Sequence, residues 1–373
     1  MKKVSNMKKF KESDNPYTLQ FSFVPPKLIE RTLVTSEIID NFTRKVPTYR
    51  GMFITGVRGS GKTVMLGHIR NKIAELDDWI TIDLNPESNL IDSLARGLYL
   101  IPAIKALFVK AKLDFSVLGI GLHIENAELM ASNEEDALKL MLQTLKASGI
   151  KVLVTIDEIT YSKDVALFSH ALSSYSNSDY DIYVLMTGLA ENIKNIKNKK
   201  SLTFLYRAKV KELDMLNITS IREDYQKTLE LDRDWAEELA YETRGYSLAF
   251  QAAGYFYWNA ICRYDNYGDI DRTEIRSELY TALSELAYDK IWEELSPTDL
   301  KIINSMLQIK QFEDKEYIKV EQIRNSLNMS SDVFTKYRTR LIDSGIVDAS
   351  QYGHLRFKLP LFEQYIKDRG LFE

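Results

Sequence analysis

Residues 56–63 read Gly56-Val57-Arg58-Gly59-Ser60-Gly61-Lys62-Thr63, which satisfies G-x-x-x-x-G-K-[ST] at every fixed position. A short apolar run, Arg50–Thr55 (RGMFIT), stands before it. After it, Val64 to Leu76 carries Met65, Leu66, Ile69 and Ile73 on one helical face. Strand, glycine-rich turn and helix are the context this pattern needs to hold phosphate. Glycines let the backbone curl so that successive N–H groups point inward, and the helix N-terminus adds its positive dipole end. On this reading Gly56 to Val64 wrap the phosphates, Lys62 reaches the β- and γ-phosphates, and the Thr63 hydroxyl ligates Mg²⁺.

Further along comes Lys151-Val-Leu-Val-Thr-Ile-Asp157-Glu158, an apolar strand ending in two acids. Burying paired carboxylates without a cation is costly, and the phosphate loop supplies the reason for a cation. Asp157 is then expected to hold Mg²⁺ through water, and Glu158 to polarise the attacking water as general base. The bland alternative is two solvated acids at a strand end. Thr187 closes the next strand (YVLMTGL), where a small hydroxyl can orient the water or the γ-phosphate. Arg207, in Leu205-Tyr206-Arg207-Ala208-Lys209, precedes the last strand and is placed to reach a neighbouring subunit's γ-phosphate. Arginines are also common as plain surface residues.

The 373 residues are 45% apolar and 27% charged, with 49 Lys+Arg against 53 Asp+Glu and a net charge of −4. That balance is globular, and the length suits two or three domains. The chain is not a polycation, so nucleic-acid binding would need a local basic patch. One cysteine, Cys262, rules out an internal disulfide and a cysteine-based zinc site, and four histidines (His68, His123, His170, His354) lack ligand spacing. The Lys-rich start, Met1 to Phe10, is not followed by an apolar stretch. The longest uncharged run, Gly245 to Cys262, falls short of the ~20 apolar residues of a spanning helix. The expectation is a soluble cytoplasmic protein with no membrane contact.

Residues 1–24 read as a loosely held arm, and Pro25-Pro26 fixes an extended lead into a helix from about Ser36 to Arg44. Strand-like runs at Trp79–Leu84, Lys151–Ile156, Asp181–Met186 and Lys209–Leu213 alternate with helical patterns at Asn89–Leu107, Glu134–Ser148 and Val165–Ser174. Such alternation implies an α/β fold with a parallel sheet. Residues 110–125 alternate at period two around Gly119 and Gly121 and read as an inserted β-hairpin. From Ile218 the signal is helical, and Ser296-Pro297 marks a strong helix start. Residues 293–373 then read as three helices and a hairpin, the layout of a winged helix-turn-helix. Its third helix offers Lys336, Arg338 and Arg340, and the hairpin offers His354, Arg356 and Lys358. They suit either double-stranded DNA or a solvated face in a module that docks on protein.

The order of these features resembles the AAA+ ATPases, in the branch of the archaeal-type and STAND-related ATPases near the origin-recognition ATPases. The matching pieces are Pro25-Pro-Lys-Leu-Ile-Glu-Arg31, GVRGSGKT, KVLVTIDE, Met186-Thr-Gly-Leu-Ala190, Tyr206-Arg207 and Thr243-Arg-Gly-Tyr-Ser-Leu-Ala-Phe-Gln251. The resemblance implies a P-loop ATPase core at 25–215, with a five-stranded sheet ordered 5-1-4-3-2 and helices on both faces. It also implies an all-α lid at 216–292 ahead of the C-terminal domain at 293–373. Pro26 and Arg31 would flank the adenine, Thr187 would be sensor 1, and Arg207 a trans arginine finger, hence self-association. Asn85 matches a position that can restrain the catalytic glutamate. Two departures stand out: Glu30-Arg31 replaces a usual Gly-Arg, and Tyr246, Ser247, Leu248 and Ala249 occupy the positions where a sensor-2 arginine is expected.

The expected activity is therefore ATP binding and slow Mg²⁺-dependent hydrolysis, with ATP or ADP controlling the lid and the C-terminal module. The alternatives are an ATP-regulated DNA-binding protein and a non-cycling, nucleotide-gated scaffold with a protein partner.

Overall fold

The computed structural model describes residues 10–20, 24–119, 129–264 and 267–370. The chain divides into two compact units, one made of Arg31–Thr55 with Lys62–Leu213, the other of Met1–Glu30, Gly56–Gly61 and Asp214–Glu373.

The first unit is a five-stranded parallel sheet with helices on both faces. In chain order it runs α1 (Thr32–Thr43), β1 (Gly51–Thr55), α2 (Lys62–Ala74), β2 (Trp79–Leu84), α3 (Leu90–Leu100), α4 (Pro102–Lys110) and α5 (Glu134–Ala147). There follow β3 (Lys151–Ile156), α6 (Lys163–Asn177), β4 (Ile182–Gly188), α7 (Ala190–Lys197), α8 (Thr203–Arg207) and β5 (Lys209–Glu212). The strands lie in the order β2-β3-β4-β1-β5, the expected 5-1-4-3-2 read from the other edge. Pleating sorts the central strands between two cores. Met52, Ile54, Leu153, Tyr183 and Leu185 face α1 and α2, where Ile38, Phe42, Met65, Leu66, Ile69 and Ile73 are buried. Phe53, Val152, Val154, Ile156, Val184 and Met186 face the opposite core, with residues of α3, α5 and α6. Strands covered on both faces are largely apolar, as a parallel sheet requires.

Two expectations change here. The helix predicted over Asn89–Leu107 is two helices, because Pro102 lacks an N–H and disfavours helical backbone at Ile101. The described part of the predicted hairpin at 110–125 holds the end of α4, a two-residue strand (Leu113–Asp114) and a 3₁₀ turn (Ser116–Leu118). That strand pairs in parallel with Leu129–Met130, a geometry no tight hairpin can make. Residues 120–125 lie outside the described residues.

The second unit is mostly helical: α9 (Ile218–Thr228), α10 (Arg233–Glu242), α11 (Ser247–Arg263), α12 (Arg272–Leu283), a π-helical turn (Ser284–Tyr288) and α13 (Asp289–Glu293). Then come α14 (Pro297–Glu313), β6 (Ile318–Lys319), α15 (Val320–Ser326), α16 (Ser331–Asp343), β7 (Val347–Asp348), β8 (His354–Phe357) and α17 (Phe362–Asp368). The last three strands form an antiparallel sheet ordered β6-β8-β7. Ser296 and Asp299 make a reciprocal capping box at the start of α14, with Pro297 behind the cap. The expected loose arm is, over residues 10–20, a docked segment. Tyr17 is buried against Tyr225 and Phe250, in space left by Gly254, where a Cβ would come 2.5 Å from its ring. Its hydroxyl donates to Asp224 at 2.6 Å. No helix among the described residues is long and apolar enough to cross a membrane.

Candidate functional site

Parallel strands end together, so the loops after β1, β3 and β4 emerge on one edge of the sheet, the edge where α/β folds place their ligands. Ile156 of β3 is in register with Met186 of β4, which sets the next residues, Asp157 and Thr187, side by side. Thr187 is fully buried. Its hydroxyl donates to Asp157 Oδ1 and accepts the Glu158 amide N–H at 3.0 Å. From the start of α2, the Thr63 hydroxyl donates to Asp157 Oδ2 at 2.7 Å. The Asp157 carboxylate is thus gripped on both oxygens, by the hydroxyls of Thr63 and Thr187.

Glu158 follows with φ of +53°, a left-handed backbone that a non-glycine residue adopts at a cost of roughly 1–2 kcal/mol. Its amide also reaches Asp157 Oδ1 at 3.1 Å, and the residue is exposed. Two hydrogen bonds to one amide hold the turn that presents this carboxyl. Lys62 opens α2 and is buried. The helix is fixed to the sheet by Met65, Leu66, Ile69 and Ile73.

The loop between β1 and α2 belongs to the second unit. Gly59 and Gly61 have φ of +75° and +88°, values that disfavour any side chain. The Ser60 amide closes a turn onto the Val57 carbonyl at 3.1 Å. Within this unit the start of α11 lies against the loop. The Tyr246 hydroxyl donates to Arg58 O at 2.5 Å, the Leu248 amide to Gly59 O at 3.1 Å, and the Ser247 hydroxyl to Ser60 O at 2.9 Å. Burial pushes the Tyr246 phenol well above its usual range, so it stays protonated and donates. A Cβ on Gly59 would fall 2.1 Å from the Tyr246 oxygen. Arg58 pairs with Glu294 at 2.8 Å, and Val57 sits against Gly345, where a Cβ would come within 2.6 Å. Sequence reasoning noted Tyr246 and Ser247 only as the residues standing where an arginine was expected. The neighbouring Arg244 turns away from the loop, to the carbonyls of Phe357 and Leu359 at 3.0 Å each and to Glu363.

Pro26 is exposed on a segment of the second unit that bends at Pro26 and Lys27, where an extended lead was expected. That segment is held by Gln251, whose amide donates to Lys27 O at 2.7 Å, and by a Lys27–Asp224 ion pair of 2.7 Å. Arg31 precedes α1 as its N-cap residue. Arg207 ends α8 and is exposed. The Lys197 ammonium caps the carbonyls on either side of it, Tyr206 O at 2.7 Å and Ala208 O at 2.6 Å, a contact with no sequence signature. Asn85 spends its side-chain oxygen on the Glu87 amide in a local turn. In the C-terminal module, Arg340 is bound to the fully buried Asp299 at 3.2 Å and to Glu294 O at 3.0 Å. Arg356 is bound to Asp348 and Glu316, while Lys336 is exposed.

This fold is shared with solved structures of archaeal proteins. The chain is similar to a Walker-type ATPase of Pyrococcus abyssi, at 15% identity and a TM-score of 0.61 over 91% of this chain and 96% of that one. It is also similar to the ORC2 protein of Aeropyrum pernix, solved as ADPNP–ADP complexes, at 12% identity and a TM-score of 0.58 over 94% and 96%. Residues 285–366 match a family described as a domain of unknown function, DUF8462. No curated protein matches the chain.

Proposed function

We propose that the protein binds ATP at the loop Gly56–Thr63 and hydrolyses it slowly with Mg²⁺. The observation that carries this reading is the Asp157 carboxylate held between the Thr63 and Thr187 hydroxyls. A hydroxyl at a helix start and a carboxylate at a strand end, 2.7 Å apart, are hard oxygen donors of the kind Mg²⁺ takes. Among the described residues no cluster of three or more His, Cys, Asp or Glu is arranged for a metal, so nucleotide phosphates and water would supply the other ligands. The ion would neutralise charge on the β- and γ-phosphates.

Lys62 binds phosphate oxygens, Asp157 orients the ion's water, and Glu158 takes the proton of the attacking water. Thr187 holds the acid pair in register. The relative solved with ADPNP and ADP supports adenine nucleotide as the ligand, with Pro26 and Arg31 near the base. Arg207, exposed at a helix end, suits a finger acting on a second copy. The helices of 216–292 serve as a lid and residues 293–373 as a winged helix. Engagement of Arg340 and Arg356 by acids of their own module favours protein or intramolecular docking over DNA reading. A cytoplasmic location fits this assignment.

The test is nucleotide affinity and turnover in Lys62→Ala and Glu158→Gln. Lys62→Ala is expected to lose binding, and Glu158→Gln to keep binding while turnover falls ~100-fold or more. Unchanged affinity in the first variant refutes the phosphate loop, and unchanged turnover in the second refutes the base.

A further inference from the structure

Three consecutive loop carbonyls, of Arg58, Gly59 and Ser60, each accept a hydrogen bond from the start of α11. A trans peptide is planar, with its C=O and the following N–H pointing in opposite directions. Carbonyls drawn to one side therefore turn the amides of Gly59 and Gly61 to the other, the side a phosphate would occupy. The donors are well placed to be firm. Tyr246 is fully buried, and the left-handed turn at Gly59 leaves room for its hydroxyl and for no side chain.

We propose that Tyr246 and Ser247 are positioning residues that hold the phosphate loop in its binding conformation from behind. They couple the α11 helix to the nucleotide through the loop backbone, in place of an arginine reaching the γ-phosphate. The proposal rests on the nucleotide-site reading above. Phosphate binding draws the loop amides to one side and tightens the opposed carbonyls on Tyr246 and Ser247. The start of α11 thus becomes more ordered when nucleotide is bound, and a loop released from α11 binds phosphate more weakly. AMP, which lacks the β-phosphate that Lys62 would reach, is expected to show less of both effects than ADP.

The experiment uses the full chain as wild type, Tyr246→Phe, Ser247→Ala, the double variant, Ser247→Thr and Lys62→Ala. The readouts are ADP and AMP affinity, the melting temperature without nucleotide, and amide hydrogen exchange across residues 246–263 with and without ADP. Each hydroxyl deletion is expected to weaken ADP ~3- to 10-fold and the double ~10- to 100-fold, at about 1 kcal/mol per hydrogen bond. Ser247→Thr should keep wild-type affinity, and the ADP-induced protection of 246–263 should disappear in the double variant. A double variant with a lowered melting temperature but wild-type ADP affinity and ADP-induced protection would overturn the proposal, leaving the hydroxyls a purely structural role. If that variant binds as wild type while Lys62→Ala does not, the proposal alone fails. If Lys62→Ala binds as tightly as wild type, the nucleotide-site reading fails and the proposal falls with it.

Discussion

Replacing Thr187 by valine removes one hydroxyl and nearly nothing else, since the residue is fully buried and a methyl fills the same space. The lost contacts are the donation to Asp157 Oδ1 and the acceptance from the Glu158 amide at 3.0 Å. The first is a bond to a charged group, ~1.5–3 kcal/mol, and the second an amide bond of ~0.5–1.5 kcal/mol. Asp157 keeps Thr63 at 2.7 Å, and the Glu158 amide keeps Asp157 at 3.1 Å, so the loss is partial. The expected destabilisation is ~2–3 kcal/mol, read as a shift of the urea midpoint at constant m-value. On the proposed function, the larger effect is on turnover. With one of its two tethers gone, the left-handed turn at Glu158 relaxes and its carboxyl leaves the attacking water. ATP hydrolysis should fall ~10-fold or more, while ADP affinity stays within ~3-fold, because the loop and Lys62 are untouched. Thr187→Ser restores the hydroxyl and should recover most of the rate. Wild-type turnover in Thr187→Val, with stability unchanged, would show that the acid pair does not depend on this residue.

Two further perturbations probe other parts of the molecule. Arg207→Ala should leave nucleotide affinity unchanged and remove the rise of specific activity with protein concentration; mixing it with Glu158→Gln should restore turnover, and failure of mixing to do so refutes a finger acting between copies. Asp299→Ala removes the α14 capping box and leaves Arg340 without its buried carboxylate; a loss of ~2–3 kcal/mol in chemical denaturation is expected, and a change under ~0.5 kcal/mol would show the cap is not used.

The strand runs, the glycine pattern of residues 56–61 and the helix start at Ser296-Pro297 were legible in the amino-acid sequence because each is local, whereas the spatial order of the strands followed only from the family resemblance. A glycine pattern dictates its own turn, an apolar run buried on two faces dictates a parallel strand, and Ser296-Pro297 dictates a helix start. Even the Asp157–Thr187 contact was half legible, since both residues lie at the ends of strand-like runs. Only the register of β3 against β4 decided that they meet. Contacts between residues far apart in sequence leave no such trace. Nothing near Tyr246 or Ser247 announces that their hydroxyls end on the carbonyls of residues 58 and 60. Likewise nothing near Lys197 announces that it brackets Arg207, or near Tyr17 that a polar, Lys-rich arm has a docked core. Basic residues taken singly left both a nucleic-acid surface and a protein-docking face open at Arg340 and Arg356, and the fold then gave both of them acids to hold. The sequence by itself determined which helices, strands and turns the chain forms, through short-range backbone preference and hydrophobic period. Tertiary structure alone decided which side chains are already committed to partners, because that depends on long-range packing.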